Sequence, residues 1–239
     1  IYNYVPIEDI YYDYDELPSR YNSVDEYPTT LYDQGNEGLC WAYATATMIE
    51  SNLKRTRNID EQISVKQLDY ITADVDYYSN KYNPYSLNRK IGKGLKNSDD
   101  PIYMNGILMS GVIPVKKEKF NVIDDSNFDI YDVANTDNLD YTITETVSFP
   151  KYENTEEYRN MLKSYIKQYG GVWVGGTILG TEGHAVVITG WNDEGEIGFS
   201  GDIVYPEGTW IVQNSWNESE YDEYFIPYNV IILRFIIIV

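Results

Sequence analysis

The sequence predicts an α+β fold in which a largely helical first half gives way to a sheet-rich second half. Two observations carry this. Apolar residues recur at helical spacing between Leu39 and Arg55, and after Gly170-Gly171 they gather into short β-branched runs bounded by glycine. At 239 residues the chain has the length of one large domain, or of two lobes sharing a cleft.

Residues 1–30 are rich in Tyr and Asp, contain three prolines and show no sustained period, so they read as an extended arm over the surface. A helix then starts near Gly38. Leu39, Ala42, Ala46, Ile49 and Leu53 mark its apolar positions, small residues such as Ala44 suit burial on most sides, and Lys54 and Arg55 fall where a helix C-terminus favours cations. Ile63 to Tyr70 reads as a second, short helix. Asp99 and Asp100 are cap candidates for a third, with Pro101 in its first turn and Gly111 at its end.

Between Lys116 and Tyr152 runs an acidic, Asn-rich passage with a β-like alternation at Tyr141, Ile143, Glu145 and Val147, read as the crossing between the two halves. The clearest helix spans Glu156 to Tyr169, where Tyr158, Met161, Leu162, Tyr165, Ile166 and Tyr169 share one face and Gly170-Gly171 stop it. Val172 to Val174, Ala185 to Thr189 and Thr209 to Gln213 follow as strands.

Composition excludes several function classes. Eighteen Lys and Arg against 38 Asp and Glu give a net charge of −20, the wrong sign for a phosphate-binding track, so no nucleic-acid partner is expected. Such an excess favours solubility and biases encounters toward cationic partners. The longest apolar run, Ile231 to Val239, is interrupted by Arg234 and is far short of a membrane span. With one Cys and one His, the chain can build neither a four-ligand Cys/His zinc site nor an internal disulfide. Asp124, Asp125, Asn127 and Asp129 lack the glycine and terminal Glu of an EF-hand loop and read as a solvated acidic loop, so no metal is expected. The chain begins at Ile1, and residues 1–16 are candidates for the remainder of a prosegment.

Four residues carry candidate chemistry. Cys40 sits in the first turn of the buried helix, where unpaired amides and the helix dipole favour a thiolate; alone, it would more often be a core thiol. His184 stands where Gly183 feeds the apolar run Ala185-Val186-Val187-Ile188, a place from which a strand-leading imidazole can face a cleft, although a structural His is the commoner case. Asn214 follows Trp210-Ile211-Val212-Gln213. If the two strands pair, its amide can accept the imidazole N–H and fix the tautomer, with Trp216 covering that bond from water; otherwise it is a turn residue. Gln34, six residues before Cys40, can offer its amide together with the Cys40 backbone N–H to an oxyanion, where the bland alternative is a surface Gln.

Gln34, Cys40-Trp41, Gly183-His184-Ala185 and Asn214-Ser215-Trp216, in this order, resemble the papain-like cysteine peptidases. Weaker similarity runs through Ile63 to Leu68, Gly111 to Pro114 and Tyr224 to Tyr228, so the resemblance covers most of residues 17–230. It implies a papain-like two-lobed α+β fold, with a helical lobe over 31–120, an antiparallel β-barrel-like lobe over 121–239, and the active cleft between them within a single 1–239 domain. It assigns catalytic roles to Cys40, His184, Asn214 and Gln34, with a thiolate–imidazolium pair, a thioester acyl-enzyme and no cofactor. The glycine pair that binds substrate backbone in that family falls near Asn97-Ser98, so Asn97, Ser98 and Trp216 are the substrate-side candidates.

Glu37 stands where many family members carry a disulfide Cys. The lobe should therefore be held by packing alone, and the Glu37 anion should oppose thiolate formation. Asn217 replaces the usual Gly after Asn-Ser-Trp, a second Trp of that loop is missing near Glu220, and the 185–213 stretch implies a larger hairpin at Asn192 to Gly208. The expected protein is a monomeric, secreted or surface cysteine endopeptidase acting on peptides or proteins. The alternatives are a non-catalytic papain-like module that binds a peptide or partner, and a transferase using the same thiol.

Overall fold

A computed structural model describes residues 17–74, 86–87, 89–95, 143, 146–149, 152–195, 207–216 and 224–238. The expected helix from Asp99-Asp100-Pro101 to Gly111, the Asp124–Asp129 run, Asn97, Ser98, Asn217, Glu220 and residues 1–16 lie outside them.

The described arm is more regular than its sequence suggests. It holds a short strand β1 (Arg20–Asn22) and one turn of helix α1 (Ser23–Glu26). β1 forms because a strand edge is available to it; no local period marks it. The buried helix α2 (Cys40–Arg57) is followed by α3 (Val65–Ile71), which is capped by the Ser64 hydroxyl, and, further on, by α4 (Glu156–Tyr169), which is capped by Thr155. The strands are β2 (Thr146–Phe149), β3 (Val172–Ile178), β4 (Thr181–Asn192), β5 (Thr209–Gln213), β6 (Tyr224–Pro227) and β7 (Ile231–Ile238). They form one antiparallel sheet in the order β2-β7-β3-β4-β5-β6, with β1 also paired to β4.

β4 differs from its expected form. The tight turn lies at Leu179-Gly180, both at positive φ, so Gly183 and His184 are inside the strand and not at its head. The cause is the pairing of Thr181 with Ile178 and His184 with Gly176, which extends the ladder beyond the apolar run that the sequence shows. At the other end Asn192 pairs with Thr209, closing the predicted hairpin. Gly190 is needed there, since a Cβ would sit 2.1 Å from the Tyr21 carbonyl oxygen of β1.

Strand alternation divides the core. Val172, Val174, Val186 and Ile188 pack with Met161, Leu162, Tyr165 and Ile166 of α4, whereas Trp173, Ala185 and Val187 pack with Trp41, Ala42, Met48 and Ile49 of α2. Polar contacts then lock the two helices together. Gly170 ends α4 at φ 98°, and the Gly171 N–H donates to Ser51 Oγ at 2.7 Å. Asn52 and Arg55 of α2 donate to the Tyr169 and Lys167 carbonyls, satisfying acceptors that a helix end leaves open. These contacts tie the C-terminal half of α2 to the end of α4, while Trp41 and Ala42 at its start pack with Ala185 and Val187 of β4.

Candidate active site

α2 begins without a side-chain cap: Leu39 is the N-cap residue, and its carbonyl takes the Ala42 and Tyr43 N–H groups. The Cys40 and Trp41 amides are therefore left facing the sulfur, and the Ala185 N–H of β4 joins them as a hydrogen-bond donor to it. These donors favour a thiolate, but burial is the larger effect and pushes the Cys40 thiol up from its ordinary value. Burial, not the Glu37 carboxylate, is thus what opposes the charge, in contrast to the expectation from sequence.

His184 precedes Ala185, so the strand that brings an N–H to the sulfur also carries the imidazole. His184 is buried, and its Nε2 lies 2.9 Å from Asn214 Oδ1. The Ser215 backbone N–H donates to the same Oδ1 at 2.8 Å, which fixes the orientation of the amide. Asn214 therefore accepts, Nε2 carries the hydrogen, and Nδ1 keeps the lone pair. Tertiary pairing creates this contact: the β4–β5 ladder ends at the Val187–Gln213 pair, three residues along β4 from His184, and Asn214 is the residue that follows Gln213. Trp216 stacks on the imidazole with ring centroids 4.6 Å apart and planes at 18°. Burial pulls His184 below its ordinary value, and the Asn214 bond acts the other way.

Gln34 is tied to the same strand end. Its backbone N–H donates to the Ser215 carbonyl at 2.8 Å, its Oε1 accepts the Ser215 hydroxyl at 2.6 Å, and its Nε2 donates to the Glu37 carbonyl at 2.8 Å. Ser215 was not among the residues singled out from sequence. Its only local signal was its place inside Asn-Ser-Trp.

On the far side of the helix start, Gly92–Leu95 runs beside Gly38, whose N–H donates to the Gly92 carbonyl at 3.1 Å. A Cβ on Gly38 would sit 2.7 Å from Gly94 N, so only glycine permits this approach. The lobe is held without a disulfide, as expected, but a buried ion pair adds to its packing. Arg89 is fully buried, pairs with Asp69, and lies 4.8 Å above the Trp41 ring. Neither Arg89 nor this loop carries a pattern that would have exposed it in the sequence, beyond the Gly92-Lys93-Gly94 spacing.

Comparison with known proteins agrees with this geometry. The sequence pattern of the papain family of cysteine proteases matches residues 17–229. The chain belongs to the papain family of cysteine proteases. No curated protein matches it. Among solved structures, the papain-family chain is similar to the clostridial cysteine protease Cwp84 after propeptide cleavage, at 20% identity and TM-score 0.66, covering 93% of this chain and 59% of that one. It is similar to the cysteine protease and lectin-like domains of Cwp84, a surface layer associated protein of Clostridium difficile, at 18% identity and TM-score 0.64, covering 91% and 51%. It is also similar to the bromelain protease of Ananas comosus, at 17% identity and TM-score 0.59, covering 92% and 98%. The papain-like α+β fold, a helical part with a curled antiparallel half-barrel sheet, is thereby shown. The chain spans little more than half the length of the two clostridial structures. Among the described residues no helix is long and apolar enough to cross a membrane.

Proposed function

We propose that the chain is a cysteine peptidase that cleaves peptide bonds with Cys40 as nucleophile and His184 as proton carrier. The observation that carries this reading is the Nε2–Oδ1 contact of His184 and Asn214, which leaves Nδ1 as the acceptor on the residue next to Ala185, whose N–H reaches the sulfur. In the proposed cycle the thiol proton passes to Nδ1, and the Cys40 sulfur attacks the scissile carbonyl. The Cys40 N–H and the second N–H of the Gln34 amide stabilise the oxyanion. The C–N bond then breaks, His184 gives its proton to the leaving amine, and a thioester remains. Water attacks the thioester, His184 takes the water proton, the acid is released and the pair re-forms.

Burial works against the charged pair, so the cycle depends on the attraction between thiolate and imidazolium, on the three N–H groups at the sulfur and on Asn214. In this reading Trp216 shields the imidazole from water and borders the leaving-group side. The Gly92 and Lys93 backbone is spent on Asp69, Gly38, Lys90 and Arg89, so in this reading the backbone beyond it, at Gly94-Leu95 and at Asn97-Ser98 further on, meets an extended substrate. Likeness to a surface-layer-associated protease agrees with a secreted or surface location.

Iodoacetamide tests the reading directly. Stoichiometric alkylation of Cys40 at neutral pH should abolish cleavage of a mixed peptide library, and Cys40→Ala should do the same. Cleavage that survives both sinks the proposed mechanism. The raised thiol favours a second reading, a non-catalytic module that binds peptide in the same groove. An unreactive thiol together with measurable peptide binding would select it.

A further inference from the structure

The buried Asp69–Arg89 pair does more than fill the helical core. The Arg89 guanidinium donates to the Lys93 carbonyl twice, from Nε at 2.9 Å and from Nη2 at 2.7 Å. Its Nη1 donates to the Asp69 carbonyl at 2.6 Å and to the Thr72 hydroxyl at 2.9 Å, anchoring the fork to α3. The Asp69 carboxylate, besides pairing with Nη2, accepts the Gly92 N–H at 3.1 and 2.9 Å. The pair therefore holds the Gly92–Lys93 segment through both a donor and an acceptor.

Next to this grip the loop is open. A Cβ on Gly92 would meet only Glu37 Oε1 at 3.8 Å, and one on Gly94 only the Gly38 carbonyl at 3.5 Å. Gly92 and Gly94 thus have free space beside them, and the residue they approach, Gly38, is two positions before Cys40. The same guanidinium stacks on Trp41, the residue after Cys40, so one buried cation fixes the loop relative to both the α2 start and α3. An arginine fork is suited to this because its donors are planar and set at fixed angles, which an ammonium cannot reproduce.

We infer that Arg89 is a positioning residue for substrate binding: with Asp69 it holds Gly92-Lys93 against Gly38, two residues before Cys40, and so places the following Gly94-Leu95 backbone where an extended peptide lies beside it. The inference rests on the peptidase reading for its substrate, while the loop's placement can be measured without catalysis. Arg89→Lys keeps the charge and loses the fork.

The test uses the full chain and a fluorogenic hexapeptide chosen by wild-type cleavage of a mixed library, with an N-acyl amino-acid ester as a minimal substrate. In Arg89→Lys the hexapeptide KM should rise about tenfold, the worth of one or two backbone hydrogen bonds. Its kcat, turnover of the ester and the rate of Cys40 alkylation should stay as in the wild type. Hydrogen exchange at Gly92, Gly94 and Leu95 should quicken while α4 is unaffected. An unchanged hexapeptide KM, or a parallel loss of kcat, ester turnover and alkylation, would overturn the inference, and so would unchanged exchange in the loop. A wild type that cleaves neither substrate would sink the peptidase reading instead, leaving the exchange comparison to decide the brace. If Arg89→Lys does not fold, Asp69→Asn keeps the shape of the carboxylate and is measured in the same way.

Discussion

The Ser215 hydroxyl donates to Gln34 Oε1 at 2.6 Å, while the Gln34 backbone N–H donates to the Ser215 carbonyl at 2.8 Å. Two residues 181 positions apart are thus joined twice, and the segment before α2 is fastened to the end of β5. Because Oε1 is held, Nε2 is aimed away from Ser215, toward the Glu37 carbonyl and the start of α2.

Gln34→Ala should lower kcat for a peptide substrate by about a hundredfold while KM changes little, since a lost oxyanion donor acts mainly in the transition state. Steady-state kinetics read this split. An equal rise in KM with kcat preserved would place Gln34 in ground-state binding instead.

Asn214→Ala removes the hydrogen bond that opposes the burial-driven fall in the His184 pKa. The imidazolium should then lose its proton at lower pH, so the alkaline limb of the activity profile moves toward neutrality. Activity at its optimum should drop by about ten- to a hundredfold, the range expected for one hydrogen bond to a charged group. A pH series of kcat/KM checks both the direction and the size.

Glu50 gives a separate prediction about stability. It is buried in α2, where it accepts the Tyr32 hydroxyl at 2.5 Å and the Ile63 N–H at 2.8 Å, and burial pushes its carboxyl from 4.5 up to about 7. The folded chain therefore holds this proton more tightly than the unfolded chain. The stabilisation is fully present below pH 4.5 and is lost as the pH rises to about 7. Glu50→Gln should flatten that slope, gaining about 3 kcal/mol on the wild type between pH 4.5 and 8, from 1.36 kcal/mol per pKa unit. Urea unfolding of both proteins at the two pH values measures it, and identical slopes would show that Glu50 stays ionised in the fold.

Local chemistry made the main elements legible. The span of α4 follows from its apolar face and the Gly170-Gly171 stop, the small residues of α2 announced its burial, and β5 appears as an apolar run that begins after Gly208. The order of Gln34, Cys40, His184 and Asn214 was likewise readable, and it pointed to the family that residues 17–229 match. Periodicity reports which face of a segment is apolar, but it does not report what that face meets. The inward extension of β4 past His184, the pairing of β1 and the contact of His184 with Asn214 depend on backbone partners far away in the chain. The burial of Arg89 beside Trp41 belongs to the same class, because a cation enters a core only when acceptors converge on it, and only the folded chain brings Asp69 and Thr72, from the end of α3, and the Trp41 ring to Arg89 alongside the Lys93 carbonyl.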